Sequence, residues 1–210
     1  MGAVTRTRAI LATGMAALVA LPVAQASRAA DPIEPQPSPI PGCAPVNVTG
    51  GEWRSYGHDL ANTRNQDREK VIGPATVVGL TKAWEHQSTG AYNNTPIVAD
   101  GCMYLAASDG TVTAHDADTG AVLWERKLPI ERAAFGGGIV GSPAVDDQHL
   151  YVFVNDEGKP YIRALNRADG SDAWNAVVDT QPLSMSNASP VLFDGMILAG
   201  FVGHAGGGQR

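Results

Sequence analysis

The residues best equipped for chemistry in this 210-residue chain are five histidines, two cysteines and a cluster of serines, and none of them completes a motif. The histidines lack the HxxxH-type spacing that sets two imidazoles on one helix face for a metal. Ser184, Ser186 and Ser189 have no flanking glycines of the kind that build a nucleophile elbow. Cys43 and Cys102 are too few for a four-ligand zinc site, and no CxxCH run offers haem attachment. For this cysteine pair two readings stay open: a disulfide in an oxidising compartment, or one loop thiol and one strand thiol. Arg132, Ser142, Asn187 and His204 remain as polar residues near turns, each readable as a ligand contact or as an ordinary loop residue.

The elements that position these residues follow from composition and punctuation. A 44% hydrophobic content is that of a globular protein, and 24 glycines with 14 prolines suit many short strands better than long helices. The net charge of -6, with no basic stripe, excludes a nucleic-acid partner, because a phosphate backbone rewards clustered Lys and Arg. Residues 1–26 read as a cleaved Sec-type signal peptide. Arg6 and Arg8 open it, Ala9–Ala24 is almost wholly apolar, and Ala24-Gln25-Ala26 supplies the small residues a signal peptidase needs. The mature chain is therefore expected in a secreted, periplasmic or cell-envelope location, with no transmembrane segment after cleavage. Residues 27–49 are proline-rich, with Pro32, Pro35, Pro37, Pro39 and Pro41, and are expected to form an extended, solvated linker.

A repeat decides the fold. Thr95-Pro96, Ser142-Pro143 and Ser189-Pro190 each open an apolar run, and successive prolines stand 47 residues apart. A period in this range points to blades or solenoids. Asp100-Gly101 and Asp194-Gly195 lie between apolar runs, which is a tight-hairpin signal because these residues tolerate positive φ. Further turns at Asp109-Gly110 and Thr119-Gly120 complete a four-stranded unit ending at Trp124, and a second unit ends at Trp174. The predicted fold is all-β, a partial propeller of antiparallel four-stranded blades over about 95–128 and 142–178, with an incomplete one at 189–210. Residues 80–86 are predicted as a lone outer strand. Because the third unit stops mid-blade with an open edge, the chain is expected to be a fragment or a truncated product.

Ala114–Trp124 resembles the A-x-D-x-x-T-G-x-x-x-W docking motif of pyrroloquinoline quinone (PQQ) enzyme repeats, through Asp116, Thr119, Gly120 and Trp124. Ala164–Trp174 is a looser copy that keeps Gly170 and Trp174, with Asn166 in place of the acid and Asp169 in place of the threonine. Trp53–Arg64 and Thr95–Tyr104 resemble segments near the start of quinoprotein alcohol dehydrogenases and polyvinyl-alcohol dehydrogenase-like proteins. Independently of that likeness, an indole at each blade end offers a flat surface to bury and an N–H that needs an acceptor, so the motif residues read as structural.

The resemblance implies PQQ at the centre of the ring and a Ca²⁺ ion that polarises it during alcohol oxidation, with Arg132, Ser142, Asn187 and His204 as the cofactor-contact candidates. Three departures stand against it. The family's adjacent cysteine pair is missing, Gly200–Gly206 carries no calcium-binding glutamate, and the region that supplies the base lies beyond Arg210. Two functions follow: a PQQ- and Ca²⁺-dependent alcohol oxidoreductase in complete form, or a non-catalytic propeller that binds a protein or cell-envelope partner. The 210 residues alone are expected to be inactive.

Overall fold

In a computed structural model the described residues are 38–46, 51–133, 137–181 and 184–202. The signal peptide, His204 and most of the proline-rich segment lie outside them. Among the described residues there is no α-helix, only a short 3₁₀ turn at Val77–Gly79, and no helix is long and apolar enough to cross a membrane.

Blade 1 is a meander of β1 (Ile97–Ala99), β2 (Cys102–Ala106), β3 (Thr111–Asp116) and β4 (Val122–Lys127), paired antiparallel in chain order. Blade 2 repeats it with β5 (Ala144–Val145), β6 (His149–Val154), β7 (Tyr161–Asn166) and β8 (Asp172–Val177). A hairpin of β9 (Val191–Phe193) and β10 (Met196–Leu198) opens a third. The hairpins close as their residues require. Asp100 and Gly101 sit at φ 52° and 77°, and Asp194 and Gly195 at 48° and 72°, so both central residues are left-handed and the turn twist matches that of the strands. The second blade has Asp146-Asp147-Gln148 instead, and there the Asp146 carboxylate accepts the Gln148 and His149 N–H groups at 2.8 and 2.7 Å. Both blades carry a register shift at the matched places Ala114/His115 and Ala164/Leu165, just before the docking turn.

The first strands β1, β5 and β9 neighbour one another, so they form the inner edge of a fan. Burial follows from that. Ile97, Tyr104, Val112, Leu150, Val152 and Leu165 are buried in one core cluster, whereas every residue of β8 is exposed.

Two expectations need correction. Residues 80–86 pair with no strand among the described residues; Trp84 nevertheless docks on blade 1, as described below. Residues 38–46 are not a free spacer. Ile40 and Ala44 are buried, the Ser38 hydroxyl donates to the Asp100 carbonyl, and the Ala44 N–H donates to the Gly101 carbonyl at 3.2 Å. Apolar burial of Ile40 offsets the entropy that proline leaves to be lost, so the end of the tract lies on blade 1. A Cys43–Cys102 disulfide, with Cα atoms 5.0 Å apart, fastens the same segment across a separation of 59 residues. Reduction is expected to lower stability by about 2–4 kcal/mol, read as a shift in urea midpoint with and without a phosphine reductant. An unchanged midpoint would show that the remaining contacts hold the segment alone.

Candidate functional site

Each docking turn is a small machine for seating an indole. In blade 1 the Asp116 carboxylate accepts both the Thr119 N–H at 2.7 Å and the Thr119 hydroxyl at 2.5 Å, which closes the turn. Gly120 (φ 74°) then presents bare backbone to Trp84; a Cβ there would come within 2.5 Å of the ring. The Trp84 N–H donates to the Ala117 carbonyl at 3.1 Å. Blade 2 repeats the arrangement. Gly170 (φ 69°) lies under Trp124, whose N–H donates to the Arg167 carbonyl at 2.8 Å. Its turn is wired differently, since the Asp169 carboxylate holds the Ser171 N–H and hydroxyl while the Asn166 amide donates to the Ser171 hydroxyl oxygen at 2.8 Å. Trp174 is 40% exposed against 8% for Trp124, because no third docking turn lies among the described residues to receive it.

His115 lies beneath the first slot, buried, with its ring 5.7 Å from Trp84 and nearly parallel to it, and with His86 edge-on at 4.5 Å. A carbonyl can only accept, so His115 Nδ1 carries the proton given to Gly120 O, and Nε2 accepts from the Thr113 hydroxyl. Burial pushes the imidazole below its ordinary value, partly opposed by the Gly120 bond and helped by the neighbouring His86. Neutral His115 is thus a packing surface for the indole.

The polar groups at the inner edge serve neighbouring blades. The Ser142 hydroxyl accepts the Thr95 N–H at 2.8 Å, and the Ser142 N–H donates to the Ser189 hydroxyl at 2.8 Å. The conserved spacing within this chain of Ser/Thr before proline therefore has a physical cause: each hydroxyl takes the N–H its counterpart 47 residues upstream leaves unpaired. Blades approach closely here, and a side chain at Gly141 would run into the Ala188 carbonyl. Ser142→Ala is expected to cost about 1–3 kcal/mol by orphaning the Thr95 N–H, measurable by urea unfolding, whereas Ser142→Thr should keep most of the stability. Nearby, buried Asn155 clasps blade 3, donating to the Ser186 carbonyl at 2.7 Å and accepting its N–H at 2.6 Å. The Asp156 carboxylate holds the N–H groups of Glu131 and Arg132 at 3.0 and 2.9 Å.

The cofactor-contact candidates do not converge. Arg132 has a side chain 75% exposed and its guanidinium lies 3.7 Å from Glu157. Ser142 is occupied as just described, Asn187 is exposed, and His204 lies outside the described residues. Calcium needs several oxygen ligands and PQQ a lined pocket. Among the described residues no group of three or more His, Cys, Asp or Glu comes together for a metal ion. Most of the Gly200–Gly206 segment lies outside the described residues.

Sequence reasoning missed Arg167, which occupies an unspecified place in the docking turn and is fully buried between blades. Its guanidinium pairs with Asp100 at 2.8 Å and donates to Tyr104 Oη at 3.1 Å, Ala99 O at 3.1 Å and Asp146 O at 2.9 Å. Arg54 shares the same carboxylate at 2.9 Å while also holding Glu52 at 2.8 Å. One aspartate thus joins the N-terminal loop, blade 1 and, through Arg167, blade 2.

Four-stranded meanders fanned about their first strands and wedged by indoles define a β-propeller. Residues 53–139 match the family described as the glucose/ethanol/alcohol dehydrogenase β-propeller domain, and residues 130–207 match that of outer membrane protein assembly factor BamB. The chain belongs to the PQQ-repeat β-propeller proteins. It is 31% identical to the quinohemoprotein alcohol dehydrogenase of Comamonas testosteroni over 71% of this chain and 22% of that protein. Identity is 29% with the 1-butanol dehydrogenase (cytochrome c) of Thauera butanivorans, over 73% of this chain and 23% of that one. A third relative, the BamB of Xanthomonas campestris pv. campestris, is 31% identical over 69% of this chain and 36% of its own length. The solved Comamonas testosteroni enzyme superposes with a TM-score of 0.62 at 28% identity, covering 72% of this chain and 23% of that structure. The chain thus spans under a quarter of the length of these two dehydrogenases.

Proposed function

We propose that this chain belongs to an exported propeller that works as a rigid, non-catalytic scaffold for a protein or cell-envelope partner. The observation that carries this reading is the commitment of the inner polar side chains Ser142, Asn155 and Asp156 to neighbouring blades and loops. The relationship to an outer membrane protein assembly factor supports it, and the leader-like residues 1–26 support export. Mass spectrometry of the exported protein is expected to find an N-terminus at Ser27; a species retaining Met1 would defeat cleavage.

A second reading is favoured by the match of residues 53–139 to the dehydrogenase propeller. It makes the complete protein a PQQ- and Ca²⁺-dependent alcohol oxidoreductase whose donors come from other segments. Titration of the full-length protein with PQQ and Ca²⁺, followed by absorbance and by alcohol-dependent dye reduction, separates the two. The scaffold reading expects no uptake. Stoichiometric uptake with dye reduction on a short alcohol would replace it with the enzyme reading.

A further inference from the structure

The loop around Trp53–Arg64 crosses the inner edges of both blades. Trp53 bridges Val98 of β1, and the Arg54 carbonyl accepts the Val145 N–H of β5 at 3.2 Å. Against this loop lies a cavity of about 280 Å³, lined by Arg54, Ser55, His58, Asp59 and the apolar Leu60 on the loop side and by Val145 and Leu192 among the strand residues. None of the blade-docking contacts uses it.

The loop is bent to build this wall. Gly57 and His58 are consecutive left-handed residues, at φ 80° and 81°. For histidine that conformation is strained, and such strain gathers where a side chain must be aimed. It is held by the His58 N–H on Ser55 O at 3.1 Å and the Arg64 N–H on Gly57 O at 3.0 Å. The bend sets the His58 ring edge-on to Trp53 at 5.0 Å, with Nδ1 3.4 Å from an Asp59 carboxylate oxygen. A carboxylate only accepts, so Nδ1 carries the proton of this contact; in the neutral ring Nε2 is then an acceptor, with no partner among the described residues.

Charge is unbalanced in one direction. The Arg54 guanidinium is taken up by Glu52 and Asp100. The Asp59 carboxylate is held by the Thr63 hydroxyl at 2.7 Å and N–H at 3.0 Å, bonds that keep it below the usual carboxylate range and ionised. No lysine or arginine among the described residues neutralises it; its one ion-pair contact is His58. The polar wall is therefore rich in acceptors and carries an unpaired negative charge, while the facing wall is aliphatic.

We propose that this cavity binds a short-chain primary alkylammonium ion, its ammonium donating to Asp59 and His58 and its alkyl chain lying on Val145 and Leu192. An ammonium brings three donors and the missing positive charge, and a butyl chain suits an apolar wall of this size. This inference does not rest on the scaffold reading.

The test is an NMR titration of the ¹⁵N-labelled 210-residue chain with butylammonium chloride, with 1-butanol, sodium butyrate and potassium chloride as parallel arms. Saturable shifts confined to residues 54–60, Val145 and Leu192 are expected with butylammonium alone. Asp59→Asn, which can still accept from Thr63, should weaken the binding at least tenfold with an unchanged circular dichroism spectrum. Absence of saturation, equal binding of 1-butanol or butyrate, or an Asp59→Asn variant that binds as well, would overturn the proposal. If Asp59→Asn fails to fold, the wild-type comparison of the three butyl probes decides alone.

Discussion

Replacing Arg167 with methionine is expected to destabilise the protein by about 3–5 kcal/mol. The side chain is wholly buried, and its removal leaves the Asp100 carboxylate with Arg54 alone and strands the Ala99 and Asp146 carbonyls that now accept from it. Methionine keeps much of the volume, so the loss reports the unpaired polar groups and not a cavity. Arg167→Lys should recover little, because an ammonium cannot reproduce a planar fork that reaches a carboxylate, a phenol and carbonyls from two blades. Urea unfolding followed by circular dichroism reads both. Pairing Arg167→Met with Asp100→Asn then tests the coupling, since the double variant should cost clearly less than the two singles added together.

Trp124→Ala is the second, also about 3–5 kcal/mol, and its informative partner is Trp174→Ala at under about 1 kcal/mol. The two residues hold equivalent places in their blades, yet Trp124 is seated on Gly170 with its N–H bonded to Arg167 O, while Trp174 stands 40% exposed. The contrast isolates docking from residue type. Chemical denaturation of both variants, with fluorescence of the remaining indoles, is the measurement. Equal losses would mean that Trp174 is covered in solution, and that β8 is not a free edge.

Much of this architecture was legible because it is local. The Ser/Thr-Pro recurrence, the Asp-Gly hairpins at Asp100-Gly101 and Asp194-Gly195, and the two tryptophan-ended turns all encode geometry within a few residues, so reading them along the chain was enough. The role of Ser142 was harder to see. Its spacing from Thr95 and Ser189 was evident as a period, but the hydrogen bonds that use the period form only when blades lie side by side. Arg167 was illegible for the same reason carried further: its partners Tyr104, Ala99 and Asp100 belong to another blade. A lone arginine in a turn otherwise built of small and acidic residues was the one available hint. Ile40 sat inside a proline-rich stretch whose composition argued for solvent, and a single aliphatic residue with a cysteine three places later was enough to reverse that. Residues 80–86 show the opposite failure. The pattern suggested a strand, but what the segment contributes is one indole.

The order of the indoles along the chain has a bearing on biosynthesis. Trp84 precedes the turn it fills by more than thirty residues, and Trp124 likewise comes before the turn around Gly170. A ribosome delivering this polypeptide therefore releases every wedge ahead of the cradle that takes it. Each layer can lock as soon as its own turn emerges, so consolidation proceeds in the direction of translation, and each indole stays uncovered until the turn that seats it has been made.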